Sequence, residues 1–306
     1  MNSHHSVGIA AMEADEAAVR AAAKAFLAGI GEASQLPAAH PKAVALNIQG
    51  TGLQGGTASI GANTECMQHG IFTDTYISRV HVLEVGLAAE VQVQWVVSED
   101  CSGAQYINRA GFLTLLQHAG EWVVIAAVTA PTDRPTDGRT APTTATRVTP
   151  ADFAAVAACC WDEYGGANRA CDVDRMSKVF HLMCRLTYTG GDGKVVIKSQ
   201  DEFLAMVGDR YKTPMHAPYA HLRDDPRAAA GDTLLSITFA TPDVAMVVLK
   251  VGHPPCLWTD LLTCARLGGQ WWIVAKSSCK EPLLEDEARS EDGGGKRAKT
   301  EAGPSN

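Results

Sequence analysis

Tyr164, His181 and Asp260 are the side chains of this sequence whose types, if brought together, could do chemistry. A carboxylate beside a phenol or an imidazole in a dry site can abstract a proton, while its neighbour donates to the oxyanion that forms. Two tryptophans, Trp161 and Trp271, are placed to add apolar contact with a bound molecule. Each polar residue also has a plain structural role. Tyr164 can be a core aromatic with a satisfied hydroxyl, His181 a local hydrogen-bonding group, and Asp260 a strand carboxylate in need of a partner. His216, His221 and His253, with Asp224, Asp225 and Asp243, follow no metal-ligand spacing and read as solvated loop residues, so no metal and no cofactor is expected.

These residues need elements to hold them, and the elements occur twice. An apolar stripe at Val19, Ala22, Ala23, Phe26, Leu27 and Ile30 predicts an amphipathic helix over about Glu13 to Ile30. The same spacing returns at Phe153, Val156, Ala157, Cys160, Trp161 and Tyr164, behind a Thr149-Pro150-Ala151-Asp152 start. There threonine can cap, proline fits the first turn and aspartate suits the positive helix end. Each helix is followed by alternating segments ending in a hairpin: Thr114 to Val124 around Ala119-Gly120, and Thr263 to Ile273 around Gly268-Gly269, with Trp122 opposite Trp271. The second copy is longer by about fifteen residues, assigned to Gly208–Gly231. In that copy, strands are predicted near 185–188, 194–198, 233–240, 244–251, 257–267 and 270–278, with helical turns over 174–180 and 200–207. Helices followed by a meander imply an α+β fold.

Parity along the second hairpin sorts the side chains by face. With a two-residue Gly268-Gly269 turn, Asp260, Leu262, Cys264 and Arg266 share a face with Trp271, Ile273, Ala275 and Ser277. Lys276 falls on the other face, so Asp260 and Lys276 cannot enter one pocket unless a bulge intervenes. Offsets between the copies align Tyr164 with Ile30, His181 with Asn47, Asp260 with Gly111 and Lys276 with Ala127. Any chemistry is therefore expected in the second copy.

The organisation read from the chain is a first domain over 13–130, a Pro/Thr-rich linker over 131–149, a second domain over 150–284 and a disordered tail over 285–306. Of the 306 residues, 46% are hydrophobic and 20% charged, enough apolar material for two cores. The net charge of −8 and pI near 5.7 argue against a nucleic-acid binder. The apolar runs are too short for a membrane helix, and the first residues do not read as a secretory signal. Nine cysteines without a CxxC pair suit a reducing, cytoplasmic setting, with Lys296–Lys299 as a weak basic cluster for nuclear entry.

The run Trp161-Asp-Glu-Tyr-Gly-Gly166, then Asp174-Arg-Met176, Phe180-His181, Thr259-Asp-Leu-Leu262 and Gly269-Gln-Trp-Trp-Ile-Val-Ala-Lys276, resembles the NTF2-like superfamily. More narrowly it resembles the lumazine-binding branch, a relative of the SnoaL-like proteins; the first copy is a degenerate version. The resemblance implies a cone-shaped α+β domain with a pocket between helices and curved sheet, and association through the sheet. Two such copies in one chain would form an intramolecular pseudo-dimer. It also implies that the face carrying Asp260 and Trp271 looks toward the helices. The leading expectation is a small, mostly apolar or aromatic ligand in the second cone, contacted by Trp161, Tyr164, His181, Asp260 and Trp271. One alternative is an acid–base isomerase, dehydratase or cyclase with Asp260 as base and Tyr164 or His181 as donor. Another is a non-catalytic assembly module with a filled cone.

Overall fold

The computed structural model describes residues 3–29, 39–49, 52–56, 75–83, 88–98, 106–132, 147–223, 229 and 231–282. The greater part of the linker, the C-terminal tail with its basic cluster, Ile30, Cys66, Cys101, Asp224 and Asp225 lie outside them. The elements are α1 (Ser3–Gly29), β1 (Ala39–Gln49), β2 (Gly52–Gly56), β3 (Thr75–Val82), β4 (Ala88–Ser98), β5 (Tyr106–His118) and β6 (Glu121–Pro131). They are followed by α2 (Pro150–Ala157), α3 (Gly166–Ala170), α4 (Val173–Ser177), β7 (Phe180–Thr189), β8 (Val195–Ser199) and α5 (Gln200–Gly208). The chain closes with β9 (Thr233–Thr241), β10 (Val244–His253), β11 (Cys256–Leu267) and β12 (Gln270–Pro282). No helix among the described residues is long and apolar enough to cross a membrane.

Among the described residues the fold is α+β with two six-stranded sheets of the same strand order, β2-β1-β6-β5-β4-β3 and β8-β7-β12-β11-β10-β9. In each, only the pair that brings the first strand beside the last is parallel. Both central hairpins turn on residues with positive φ: Ala119 (53°) and Gly120 (87°), Gly268 (57°) and Gly269 (84°). Two left-handed residues make the turn whose twist matches a tight hairpin. Alanine at the first of them carries strain that Gly268 avoids.

The repeat extends to an irregularity. In the first hairpin Thr114 pairs with Ala126 but Leu115 with Val124, so Ile125 is an extra residue; in the second, Thr263 pairs with Ala275 but Cys264 with Ile273, so Val274 is extra. Such a bulge sends two successive side chains to one side of the sheet and reverses the parity of everything beyond it.

Each sheet buries one face under its helices. Val19, Ala23, Phe26 and Leu27 of α1 cover Val91, Leu113, Leu115, Trp122 and Val124. Val156, Cys160 and Tyr164 cover Val247, Leu262, Trp271 and Ile273. The opposite faces meet: Phe112, Leu116, Ile125 and Val128 of one sheet share a cluster with Met246, Val248, Leu261 and Val274 of the other. Each such side chain removed from water contributes about 1.5–3 kcal/mol. Polar contacts fasten the edges, with Arg79 donating to Thr238 Oγ1 (3.0 Å), Gln92 to the Phe239 carbonyl (3.3 Å) and Thr189 to the Gln117 carbonyl (3.1 Å).

Two helix readings need correction. Helix α1 begins at Ser3, ahead of Glu13. The second stripe is interrupted, because α2 widens into a π-helical stretch over Ala158–Gly165 before α3. With i→i+5 bonding the inward face slides around the axis. Cys159, Cys160, Tyr164, Gly165, Ala167 and Asn168 are buried, Trp161 is only half-buried, and Phe153 is exposed, resting edge-on against Phe239.

Candidate functional site

The expected capping at Thr149 is present. Its hydroxyl accepts from the Asp152 amide (3.3 Å), and the Asp152 carboxylate accepts from the Thr149 amide (2.8 Å). Arg266 on β11 holds the same carboxylate at 2.8 Å, fixing the helix start against the sheet. The helix then delivers Tyr164 and, one turn later, Asn168 to the sheet's inner face. There the bulge at Val274 decides what they meet. Asp260 pairs with Ser278 and Leu262 with Lys276, so Lys276 and Ser278 share the inner face with Asp260. Uniform alternation would have placed Lys276 on the outer face; the extra residue returns it.

The result is a buried network. Tyr164 donates its hydroxyl proton to Asp260 Oδ2 at 2.5 Å. Lys276 Nζ donates to Asp260 Oδ1 and to Ser278 Oγ (2.5 Å), and Ser278 donates to Asp260 Oδ1 (2.7 Å). Asn168 Nδ2 donates to the Tyr164 hydroxyl (3.2 Å). Arg210, in a short 3₁₀ turn after α5, donates to the carbonyl (2.6 Å) and side-chain oxygen (2.5 Å) of Asn168. Asp260, Tyr164, Lys276, Ser278, Asn168 and Arg210 are all buried.

This network floors a cavity of about 460 Å³, a size usual for small-molecule sites. Leu186, Tyr188, Phe203 and Trp258 supply much of its wall, with Thr213–His216 from the segment between β8 and β9. Met206 and Met215, both exposed, and Lys280 mark the mouth. That connecting segment spans 200–232 in the second copy against 57–74 in the first, so the extra length carries part of the cavity wall.

Burial governs the electrostatics. It pulls the Lys276 ammonium below the ordinary lysine range, with the Asp260 carboxylate pushing it back up. It raises the Tyr164 phenol well above its ordinary value, and the neighbouring Asp260 charge raises it further. The phenol therefore stays a donor. His253 is driven well below the usual imidazole range by desolvation and then by the Arg210 and Lys276 charges, so it is neutral near pH 7.

Of the residues singled out in the sequence, Tyr164 and Asp260 meet at the cavity floor. His181, Trp161 and Trp271 do not line the cavity. His181 lies within β7, its ring edge-on to Trp272 and its Nδ1 accepting from the Met183 amide (3.2 Å). Trp271 is buried between Phe239 and Arg266, and Trp161 borders the helix-side cluster. His216 and His253, read as solvated, are buried, with ring centroids 6.4 Å apart. Among the described residues no group of histidine, cysteine or acidic side chains is arranged to hold a metal ion. Cys159, Cys160, Cys171, Cys184, Cys256, Cys264 and Cys279 are free thiols.

The pairing registers also refine the comparison between copies. Gly111 pairs with Thr129 as Asp260 pairs with Ser278, placing Gly111 and Ala127 at the positions of Asp260 and Lys276. A side chain at Gly111 would collide with the Val128 carbonyl and the Thr129 backbone. For His181 the helix offset misleads: Ala39 faces Val124 as Phe180 faces Ile273, so its counterpart is His40, and Asn47 matches Tyr188.

Residues 151–277 match the profile of the family described as "Putative lumazine-binding". Among solved structures, an NTF2-like protein of unknown function from Silicibacter pomeroyi DSS-3 is 21% identical, over 44% of this chain and 100% of its own, with a TM-score of 0.34. Another, from Shewanella baltica OS155, is 14% identical over 45% of this chain and 99% of its own, with a TM-score of 0.37. An NTF2-like protein with a cystatin-like fold from Novosphingobium aromaticivorans is 18% identical over 45% and 95%, with a TM-score of 0.33. Comparison with curated proteins returns no match.

Proposed function

We propose that this chain, whose second half is an NTF2-like domain, binds a small, largely apolar molecule in the cone of that domain, with the first copy as its structural partner. The observation that carries this reading is the cavity of about 460 Å³ closed at its floor by the Tyr164–Asp260–Lys276–Ser278 network. A buried ion pair stabilises little on its own, because desolvation offsets most of its attraction. Set at the floor of a largely apolar hollow, it offers fixed polar groups that orient a ligand. An assembly module with a filled cone has no use for that space. The acid–base reading is less well supported, since both Asp260 oxygens already accept hydrogen bonds and His181 is directed elsewhere. In this reading Asp260 anchors the floor instead of taking a proton.

The test uses the full chain. Native mass spectrometry after gentle purification should reveal a released small molecule, and the neutral probe N-phenyl-1-naphthylamine should bind with enhanced fluorescence. Met206→Trp, which narrows the mouth, should weaken the probe without unfolding the protein. A chain that takes up no probe and carries no co-purifying molecule contradicts the proposal.

A further inference from the structure

Beyond the Asp260–Lys276 pair, the cavity holds a second polar pole whose needs the protein does not meet. Arg210 is 6% exposed and lines the cavity, yet its hydrogen bonds go to the neutral oxygens of Asn168 and, at 3.7 Å, to the Cys171 sulfur. No carboxylate among the described residues forms an ion pair with it. Asp260 is matched by Lys276 and Lys280 is exposed at the mouth, so among the described residues Arg210 is the buried cavity cation left uncompensated. Arginine does not escape this by losing its proton. A buried cation without a counterion is costly, and an anion brought beside it recovers part of that cost.

Two further groups lining the same cavity point the same way. The rings of His253 and Trp258 stack with centroids 6.0 Å apart and an interplanar angle of 25°, and both line the cavity. His253 Nδ1 and Trp258 Nε1 are buried and have no hydrogen-bond partner among the described residues. An indole N–H can only donate, so what it lacks is an acceptor. His253 is 6% exposed and is held neutral by its burial and by the Arg210 charge. It can therefore present a ring N–H to an acceptor without adding charge. The Leu186 and Phe203 side of the cavity supplies an apolar bed.

We infer that the cavity selects a monoanionic organic acid, its carboxylate placed between Arg210 and the His253–Trp258 ring pair and its aromatic or aliphatic body lying against Leu186 and Phe203. This rests on the ligand-binding reading and adds the chemical class of ligand. A single negative charge balances the one buried unpaired cation, Lys280 at the mouth being exposed to solvent. A neutral isostere leaves the guanidinium uncompensated, and an organic cation is repelled.

The experiment is competition against bound N-phenyl-1-naphthylamine on the full chain at pH 7. The competitors are 2-naphthoate, 2-naphthamide and 2-naphthylmethylamine, with decanoate and decanamide as the aliphatic pair. Each acid should displace the probe about 10- to 100-fold more tightly than its amide, with the amine weakest. The better of the naphthyl and decyl acids separates an aromatic from an aliphatic body. Arg210→Met should bring acid and amide level. Because Arg210 also braces Asn168, Trp258→Phe serves as the second variant; it keeps an aromatic ring, removes the donor, and should weaken the acid about three- to tenfold and the amide less, a bond to a charged acceptor being the stronger. Acid and amide displacing the probe equally from the wild type would overturn the inference and leave ligand binding standing. Failure of the probe and all five competitors to bind would remove both.

Discussion

Glu90 offers the sharpest quantitative test of the sheet-to-sheet arrangement. It lies on β4, 1% exposed, and neither carboxylate oxygen has a hydrogen-bond partner among the described residues. Arg79 Nη1 at 4.0 Å and His81 Nδ1 at 3.8 Å are the basic groups beside it, and both side chains are partly solvated. Burial pushes Glu90 up from 4.5 to about 7, the Arg79 charge pulling only partly back. A carboxyl raised in the folded state contributes no penalty below the unfolded value, and stability is lost as pH rises from about 4.5 through 7. That difference corresponds to roughly 3 kcal/mol at pH 8. Glu90→Gln keeps the shape and removes the charge. The variant should match the wild type near pH 4.5 and exceed it by up to about 3 kcal/mol at pH 8, a rise in Tm of about 5 °C or more. Register places Met246 of the second sheet at the equivalent position, so Glu90→Met should stabilise in the same direction. Urea unfolding of wild type and variant at half-unit pH steps measures the difference, in which all other titrations common to both proteins cancel. An advantage that stays flat between pH 4.5 and 8 would refute the placement of this carboxylate between the sheets.

Other expectations concern the site and its supports. Lys276→Met strands the Asp260 charge and should cost about 3–5 kcal/mol, whereas the double change with Asp260→Asn should restore much of it; additive losses in chemical denaturation would show that the two groups are not paired. Thr149→Ala removes the cap that starts the helix carrying Tyr164 and should cost about 1 kcal/mol in the same assay, an unchanged midpoint counting against the capping geometry. Ala119→Gly relieves the left-handed residue in the first hairpin and should stabilise by about 0.5–1 kcal/mol net of glycine's entropy. The matching Gly268→Ala should destabilise, and equal responses at the two turns would contradict their shared geometry.

Much of this protein could be read from its residues alone, because the relevant forces are local and periodic. The 3.6-residue stripes that end near Leu27 and Tyr164, the Thr149 capping box, and the two glycine-bearing turns followed by tryptophan each record a burial or dihedral requirement in adjacent positions. These marks suffice for two helix-then-sheet units; that Asp260 faces Tyr164 follows from the resemblance to the NTF2-like superfamily and not from periodicity, since both sheet faces are apolar. The bulges at Ile125 and Val274 left no such mark, since an isoleucine or valine in a strand looks the same whether or not it is the extra residue. A shift of one position reverses every side chain beyond it, and so Lys276 passed from the outer face to the cavity floor only when the strands were paired. Trp161 was displaced by the π-helical widening for a similar reason, an altered period invisible in residue type. His253 and Trp258 flank the β10–β11 turn, whereas Arg210 comes from the turn after α5, and the three line one cavity only in the assembled domain. Their unmet polarity is a property of the assembled cavity, and only tertiary structure can express it.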